Sequence, residues 1–163
     1  QCSARHHNIQ RYDVKTAEEM YRKCTELADQ QDIIIMSAAV ADYTPAHVAP
    51  EKIKKGEENL TVELVKTKDI LASIGKTKRD DQLLIGFALE TENEVENAKK
   101  KLHTKNADLI VLNSLRTKGA GFRTVTNQVT IFSKDGQSFA SELKSKQEIA
   151  QEILQTALHY IHQ

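Results

Sequence analysis

The chain has 163 residues, with 23 lysines and arginines balanced by 23 aspartates and glutamates. At roughly 100–200 residues per domain, this length fits one domain whose core needs neither disulfides nor metal. The zero formal net charge argues against a general coat for nucleic acid or for an anionic membrane, yet it leaves room for a local basic pocket. Apolar residues make up 39% of the chain and charged ones 28%, the range of a soluble globular protein. No run approaches 18 apolar residues, so no membrane-spanning helix is expected. The polar start, Gln1-Cys2-Ser3-Ala4-Arg5, carries no apolar signal segment. Cys2 and Cys24 suffice for neither a disulfide framework nor a zinc cluster, and a reducing cytoplasm is the expected setting.

Thr16-x-x-Glu19 is a capping box, followed by Met20, Tyr21, Cys24, Leu27 and Ala28 at helical spacing. Cys24 is expected to be a buried small hydrophobe. The apolar run Ile33-Ile34-Ile35-Met36 predicts a strand covered on both faces. Residues 37–55 read as loop, with both prolines and the basic cluster Lys52-Ile53-Lys54-Lys55. The alternation Leu60-x-Val62-x-Leu64 predicts a half-exposed strand. Thr67 is placed to cap a short helix carrying Ile70, Leu71 and Ile74. A second buried strand is expected over Leu83-Leu84-Ile85-Gly86-Phe87-Ala88. Thr91-x-x-Glu94 reads as another capping box, for a helix to about Lys105 with Val95, Ala98 and Leu102 inward. Leu109 to Leu112 predicts a third buried strand, and Asp135-Gly136 a hairpin between Val129-Thr130-Ile131-Phe132 and the Phe139 region. Ser145-x-x-Glu148 opens a last helix whose apolar face comprises Ile149, Ala150, Ile153, Leu154, Ala157, Leu158 and Ile161. Alternating apolar strands and amphipathic helices indicate an α/β fold: three layers, Rossmann-like, with a mainly parallel sheet and a small antiparallel hairpin.

Ligands of open α/β sheets bind outside the carboxyl ends of the strands, and four segments fall there. Residues 37–43 bring small side chains, which allow close approach, and the Asp42 carboxylate, which suits a base, a sugar or a metal ion. The Lys52 cluster suits a polyphosphate, although a solvated charge run has the same composition. Gly86 permits close backbone approach, the following helix start can hold an anion, and Phe87 can stack on a base or serve the core. Lys101 and Lys105 share one helix face, where an anionic partner would relieve their repulsion. G-x-G-x-x-G and G-x-x-x-x-G-K-[ST] are both absent. His6, His7, His159 and His162 read as surface residues, with no third metal ligand to join the terminal pair.

Taken together, these blocks resemble the phosphopantothenate–cysteine ligases. The resemblance rests on Ala38-Ala39-Val40-Ala41-Asp42-Tyr43, Pro50-Glu51-Lys52-Ile53-Lys54-Lys55, Lys68-Asp69-Ile70-Leu71 and Gly86-Phe87-Ala88-x-Glu90-Thr91. Lys101-Leu102-x-x-Lys105, Asp108-Leu109-Ile110-Val111-x-Asn113 and Gly121-Phe122…Asn127-x-Val129 complete it, in the family's order. It implies a ligase of coenzyme A biosynthesis. The carboxylate of 4′-phosphopantothenate attacks the α-phosphate of CTP, and cysteine then displaces CMP from the acyl-cytidylate. By matching motif it implies Lys52 as the catalytic lysine, which also contacts the nucleotide. It further implies Met36, Ser37, Ala38, Asp42, Lys68, Asp69, Ile70, Leu71, Phe87, Lys101 and Lys105 as nucleotide-binding residues. Mg2+ is the implied metal, with ligands unassigned, and FMN enters only with an upstream decarboxylase domain. CTP is taken over the ATP used by some relatives because the blocks have a bacterial style. A homodimer is implied, with residues 60–64 and the 129–139 hairpin as candidate interface strands.

The match departs from the family at Thr67-Lys68-Asp69-Ile70, where Asn-Pro-Asp-Ile is usual, and at Leu112-Asn113-Ser114, where Ala-Asn-Asp is common. The family's Gly-rich strand–turn–helix and the Asn that handles the acyl-cytidylate do not precede Val14. Residues 1–163 are therefore expected to be one ligase domain lacking its first unit, and not competent alone. The alternatives are an NAD(P)-dependent Rossmann-type reductase and a non-catalytic binding domain of the same fold.

Overall fold

The computed structural model describes residues 6–54, 59–114 and 124–161. Cys2, Lys55, Gly121, Phe122 and His162 lie outside the described residues.

The first helix, α1, spans Ala17–Ala28. Its capping box forms as expected: Thr16 accepts from the Glu19 N–H at 3.1 Å, and the Glu19 carboxylate takes the Lys15 N–H at 2.7 Å and the Thr16 N–H at 3.4 Å. Strand β1, Ile33–Met36, follows. The chain then forms a separate two-stranded antiparallel sheet from β2, Tyr43–Pro45, and β3, Leu64–Lys66. Helix α2, Ile70–Thr77, leads into β4, Leu83–Glu90. Helix α3, Glu94–Thr104, leads into β5, Leu109–Ser114. The remaining elements are β6, Thr126–Asn127; β7, Val129–Ser133; β8, Ser138–Ala140; β9, Lys144–Ser145; and α4, Lys146–Ile161.

The main sheet has the order β1-β4-β5-β7-β8. β1, β4 and β5 are parallel neighbours, β7 runs against β5, and β8 runs against β7. Four of the five strands therefore point the same way, as a mainly parallel sheet requires. Strand alternation divides the core between the two faces. Leu84, Ala88, Ile110 and Leu112 pack with α2 and α3, and α1 adds Met20, Tyr21 and Cys24. Ile85, Val111, Val129 and Ile131 pack with Ile149, Ile153 and Ala157 of α4.

Several expectations need correction. β1 is fully covered on one face and only partly on the other: Ile34 is buried and Ile33 packs in part against the α4-side cluster, whereas Ile35 keeps 40% of its surface exposed. β1 is an edge strand, and the α4-side cluster reaches its Ile33 end but leaves Ile35 exposed. The strand expected over residues 60–64 lies at Leu64–Lys66, and its partner, Tyr43–Pro45, falls in the stretch read as loop. The cap of α2 is Asp69, whose carboxylate accepts the Ala72 N–H at 2.8 Å. Thr67 instead donates its hydroxyl to the Ala41 carbonyl at 2.6 Å. The cap of α3 is Asn93, in the left-handed region at φ 46°, without a side-chain cap bond. Val95 is exposed, while Ala98 and Leu102 are buried as expected. The apolar stripe of α4 is narrower than its sequence pattern, since Leu154, Leu158 and Ile161 remain exposed. Cys24 is only half-buried, enough for burial to push its thiol pKa up.

Gly86 also differs from its expected role. It lies inside β4, and a Cβ there would stand 2.6 Å from Leu71 Cδ2 and 2.8 Å from Ile110 Cδ1. The missing side chain thus lets α2 pack close on the sheet. At Gly136 the hairpin turn does use glycine's freedom, with φ +91°.

The amino ends of the strands are tied by an ion pair. Lys78 Nζ lies 3.1 Å from Asp108 Oδ2, with side chains only 7% and 11% exposed. Asp108 also accepts the Leu84 N–H at 2.7 Å, and Lys78 donates to the Gln82 carbonyl at 3.1 Å. This knot fixes the start of β4 against β5 and leaves the opposite, carboxyl end of the sheet as the open one.

Candidate functional site

At the carboxyl end lies a cavity of about 540 Å3. That is within the size range of small-molecule sites. Met36, at the end of β1, is level with Gly86 inside β4, and Met36 and Phe87 form the floor. Ala38, Val40 and Asp42 supply one wall from the segment after β1. Tyr43 and Lys66, direct cross-strand partners, supply another from the β2–β3 sheet. Thr67 through Leu71, the entry and first turn of α2, close a third side, and Lys101 and Lys105 reach in from α3.

Ten of the twelve residues implied by the resemblance border this one cavity: Met36, Ala38, Asp42, Lys68, Asp69, Ile70, Leu71, Phe87, Lys101 and Lys105. Ser37 does not border it. Neither does Lys52, which is exposed on the connection between β2 and β3. Val40 and Tyr43, from the 37–43 segment expected at the ligand end, border the cavity as well, and so do Lys66 and Thr67, which no sequence motif marks for the site. Lys66 has no local signal, because the apolar alternation marks residues 60–64, whereas the strand that forms is Leu64–Lys66.

Lys101 Nζ donates to the Phe87 carbonyl at 2.8 Å, a part-buried bond that fixes the ammonium against β4. Strand alternation turns the Phe87 side chain toward the core beneath α4. The atom of Phe87 held on the α3 side is thus its carbonyl oxygen. Lys105 Nζ donates to Asp69 Oδ2 at 2.6 Å while the other carboxylate oxygen caps α2. Partial burial raises the Asp69 pKa. The Lys105 hydrogen bond, the Ala72 N–H and the charges of Lys105 and Lys101 outweigh it and hold the carboxyl below its ordinary value. Asn106 joins α3 to α2 through a 2.7 Å bond from its Nδ2 to the Gly75 carbonyl.

Lys68 is turned toward α1. Its ammonium lies 3.0 Å from Glu18 Oε1 and 4.5 Å from the centre of the Tyr21 ring. The Lys68 hydrogen bond, followed by that of Arg22, holds the Glu18 carboxyl below its ordinary value. Asp42 is exposed at the wall, and its carbonyl accepts the Thr67 N–H at 2.9 Å. Among the described residues no group of three or more His, Cys, Asp or Glu could hold a metal ion.

The chemistry of this arrangement is anion binding. Four lysines border the cavity against two aspartates, and the start of α2 adds the N–H groups of its first turn. A phosphate placed here meets flexible point charges and helix amides together.

Comparison with known proteins follows the same line. The family model for the DNA/pantothenate metabolism flavoprotein C-terminal domain matches residues 1–160. The chain is 46% identical over 150 residues to a cysteine/cysteine sulfinic acid decarboxylase from an unknown prokaryotic organism, covering 92% of this chain and 42% of that protein. It is 45% identical over 142 residues to the coenzyme A biosynthesis bifunctional protein CoaBC of Bacillus subtilis, covering 87% and 35%. It therefore spans less than half the length of these curated relatives. The crystal structure of a CoaBC C-terminal domain superposes with a TM-score of 0.70 at 39% identity, covering 88% of this chain and 61% of the other. The DNA/pantothenate metabolism flavoprotein of Streptococcus pneumoniae shares the fold, with a TM-score of 0.72 at 23% identity over 97% and 74% of the two chains.

Proposed function

Because the chain belongs to the family of DNA/pantothenate metabolism flavoprotein C-terminal domains, we propose that it forms the nucleotide-handling part of a phosphopantothenate–cysteine ligase. The reading is supported above all by the convergence of ten motif residues on one lysine-rich cavity at the carboxyl end of the sheet. The reaction joins a carboxylate to a triphosphate, two groups that repel, and so needs cations where they meet. In this reading Lys101 and Lys105 meet the CTP phosphates. Met36, Ser37 and Ala38 pass beside the nucleotide. Ile70, Leu71 and the Phe87 backbone border the base. Lys105 is held by Asp69 until a phosphate arrives, and the carboxylate keeps α2 capped throughout.

Lys52 is the catalytic cation in this proposal, acting on the phosphates from the β2–β3 connection. The carboxylate of 4′-phosphopantothenate displaces pyrophosphate from CTP. The cysteine amine then attacks the acyl carbon and CMP leaves. Mg2+ typically binds through one or two carboxylates plus substrate phosphates, and Asp42, exposed at the cavity wall, fits that donor set. When bound, the ion would neutralise phosphate charge.

The proposal extends to the assembly. Residues 1–163 form a single ligase domain to which a Gly-rich strand–turn–helix adds at the open β1 edge, over Ile35. The chain pairs as a homodimer through apolar residues exposed on and beside the β2–β3 sheet, among them Leu60, Val62 and Leu64. The protein acts in the cytoplasm, and no helix among the described residues is long and apolar enough to cross a membrane. FMN belongs to a separate decarboxylase half, and no residue of this chain is assigned to it.

The test uses the complete protein with CTP, 4′-phosphopantothenate and cysteine, following pyrophosphate release and product mass. Cysteine-dependent formation of 4′-phosphopantothenoylcysteine is expected, and Lys52→Ala should lower turnover by orders of magnitude with an unchanged circular dichroism spectrum. Near-normal pyrophosphate release by that variant would remove Lys52 from the mechanism. Release of CO2 from cysteine without ligation would point to the decarboxylase activity named for one relative.

A further inference from the structure

Three of the four cavity lysines already have partners in this structure. Lys68 is bound to Glu18, Lys101 to the Phe87 carbonyl and Lys105 to Asp69. An anion that uses any of them must displace or share that partner. Lys66 differs. Its side chain is exposed on the cavity wall, with no hydrogen bond or ion pair among the described residues.

The position of Lys66 is nonetheless fixed. β3 pairs it directly with Tyr43, and the next residue, Thr67, is tied at both its N–H and its hydroxyl to the carbonyls of Asp42 and Ala41. Strand alternation then puts Lys66 and Tyr43 on one face of the two-stranded sheet, and both border the cavity. A cation on a held backbone, with only water to displace, captures an anion at lower cost than one already in an ion pair.

We propose that Lys66 is a further substrate-binding residue of this cavity, taking a phosphate group of the ligand. Only the identity of the phosphate rests on the ligase reading; the contact itself does not. Two phosphates are available to it, one in the nucleotide triphosphate and one the phosphate monoester of the acyl substrate.

The test is a calorimetric titration of the complete protein with inorganic triphosphate, comparing Lys66→Met, Lys66→Arg and, outside the cavity on α2, Lys76→Met. Lys66→Met should weaken binding about tenfold, the loss of one charge-assisted hydrogen bond. Lys66→Arg should restore it and Lys76→Met should leave it unchanged. Equal affinity of the wild type and Lys66→Met, or no binding by the wild type, overturns the proposal. In the complete protein, a rise in KM for CTP alone assigns Lys66 to the nucleotide, and a rise for 4′-phosphopantothenate alone assigns it to the monoester. An unchanged KM for both overturns it. Triphosphate binding through Lys66 without any ligation would sink the ligase reading and leave this contact standing.

Discussion

Replacing Gly86 with alanine tests the link between the core and the cavity. The new methyl would stand 2.6 Å from Leu71 Cδ2 and 2.8 Å from Ile110 Cδ1. Carbon atoms settle at about 3.5–4.0 Å, so the neighbours must withdraw by about 1 Å. Ile110 is fully enclosed in the central strand β5 and has nowhere to go. Leu71 sits in the first turn of α2, beside the Asp69 cap, and is the side that gives. Overpacking of this kind costs about 1–3 kcal/mol. We therefore expect Gly86→Ala to lower urea-unfolding stability by about 2 kcal/mol and to weaken nucleotide binding by displacing the α2 start. Leu71→Ala alone should cost about 2–5 kcal/mol through the space it leaves. Combined, the two changes should cost less than their sum by about 1 kcal/mol or more, because the alanine methyl fills part of the vacated room. A cost for Gly86→Ala below about 0.5 kcal/mol, or strict additivity in the cycle, would refute the packing account.

Two further variants probe the ion pairs. Lys78→Met strands the Asp108 carboxylate at a buried site and should cost about 3–5 kcal/mol in denaturant unfolding, with much of it recovered when Asp108→Asn is added. A loss below about 1 kcal/mol would mean that water reaches the pair. Asp69→Asn keeps a good helix cap and removes the charge that holds Lys105. The pair is partly exposed, so its worth is a few tenths to about 1 kcal/mol. The folded pKa of Asp69 lies below its ordinary value of 3.8, so this contribution is present above about pH 4 and is lost as pH falls through the folded pKa. The stability gap between the wild type and Asp69→Asn should be open at pH 6 and should narrow as pH falls below the ordinary value of 3.8. A gap that is constant with pH would show that the pair carries none of it.

The centre of the sheet was legible in the sequence because burial is written locally there. Runs such as Leu83–Ile85 and Leu109–Leu112 have no polar member, and the capping boxes at Thr16 and Ser145 satisfy N–H groups close by in the chain. At the second box, Ser145 Oγ accepts the Glu148 N–H at 3.2 Å, and the Glu148 carboxylate accepts the Ser145 N–H at 2.9 Å. Local patterns misled where a distant partner decides. β1 reads like a central strand, yet it lies at the sheet edge with Ile35 exposed. The alternation over residues 60–64 is exposed throughout, so nothing local marks which residues find Tyr43–Pro45, and Lys66 was lost with the register. Thr67 and Asp69 both suit a helix cap. The tie from Thr67 to Ala41, 26 residues back, leaves the cap to Asp69. The cavity itself was legible as a set of motifs, but the pairing of Lys105 with Asp69 and the turn of Lys68 toward Glu18 required the fold.

The most direct measurement of where the nucleotide lies is hydrogen–deuterium exchange of the complete protein with and without CTP. The account predicts protection at residues 67–72, 87–90 and 101–105, which surround the carboxyl-end cavity. A second cavity of about 470 Å3, lined in part by Phe139, Glu152, Thr156 and Tyr160, lies between the β7–β8 hairpin and α4. Protection confined to that region, or none at the carboxyl-end segments, would contradict the assignment of the nucleotide site.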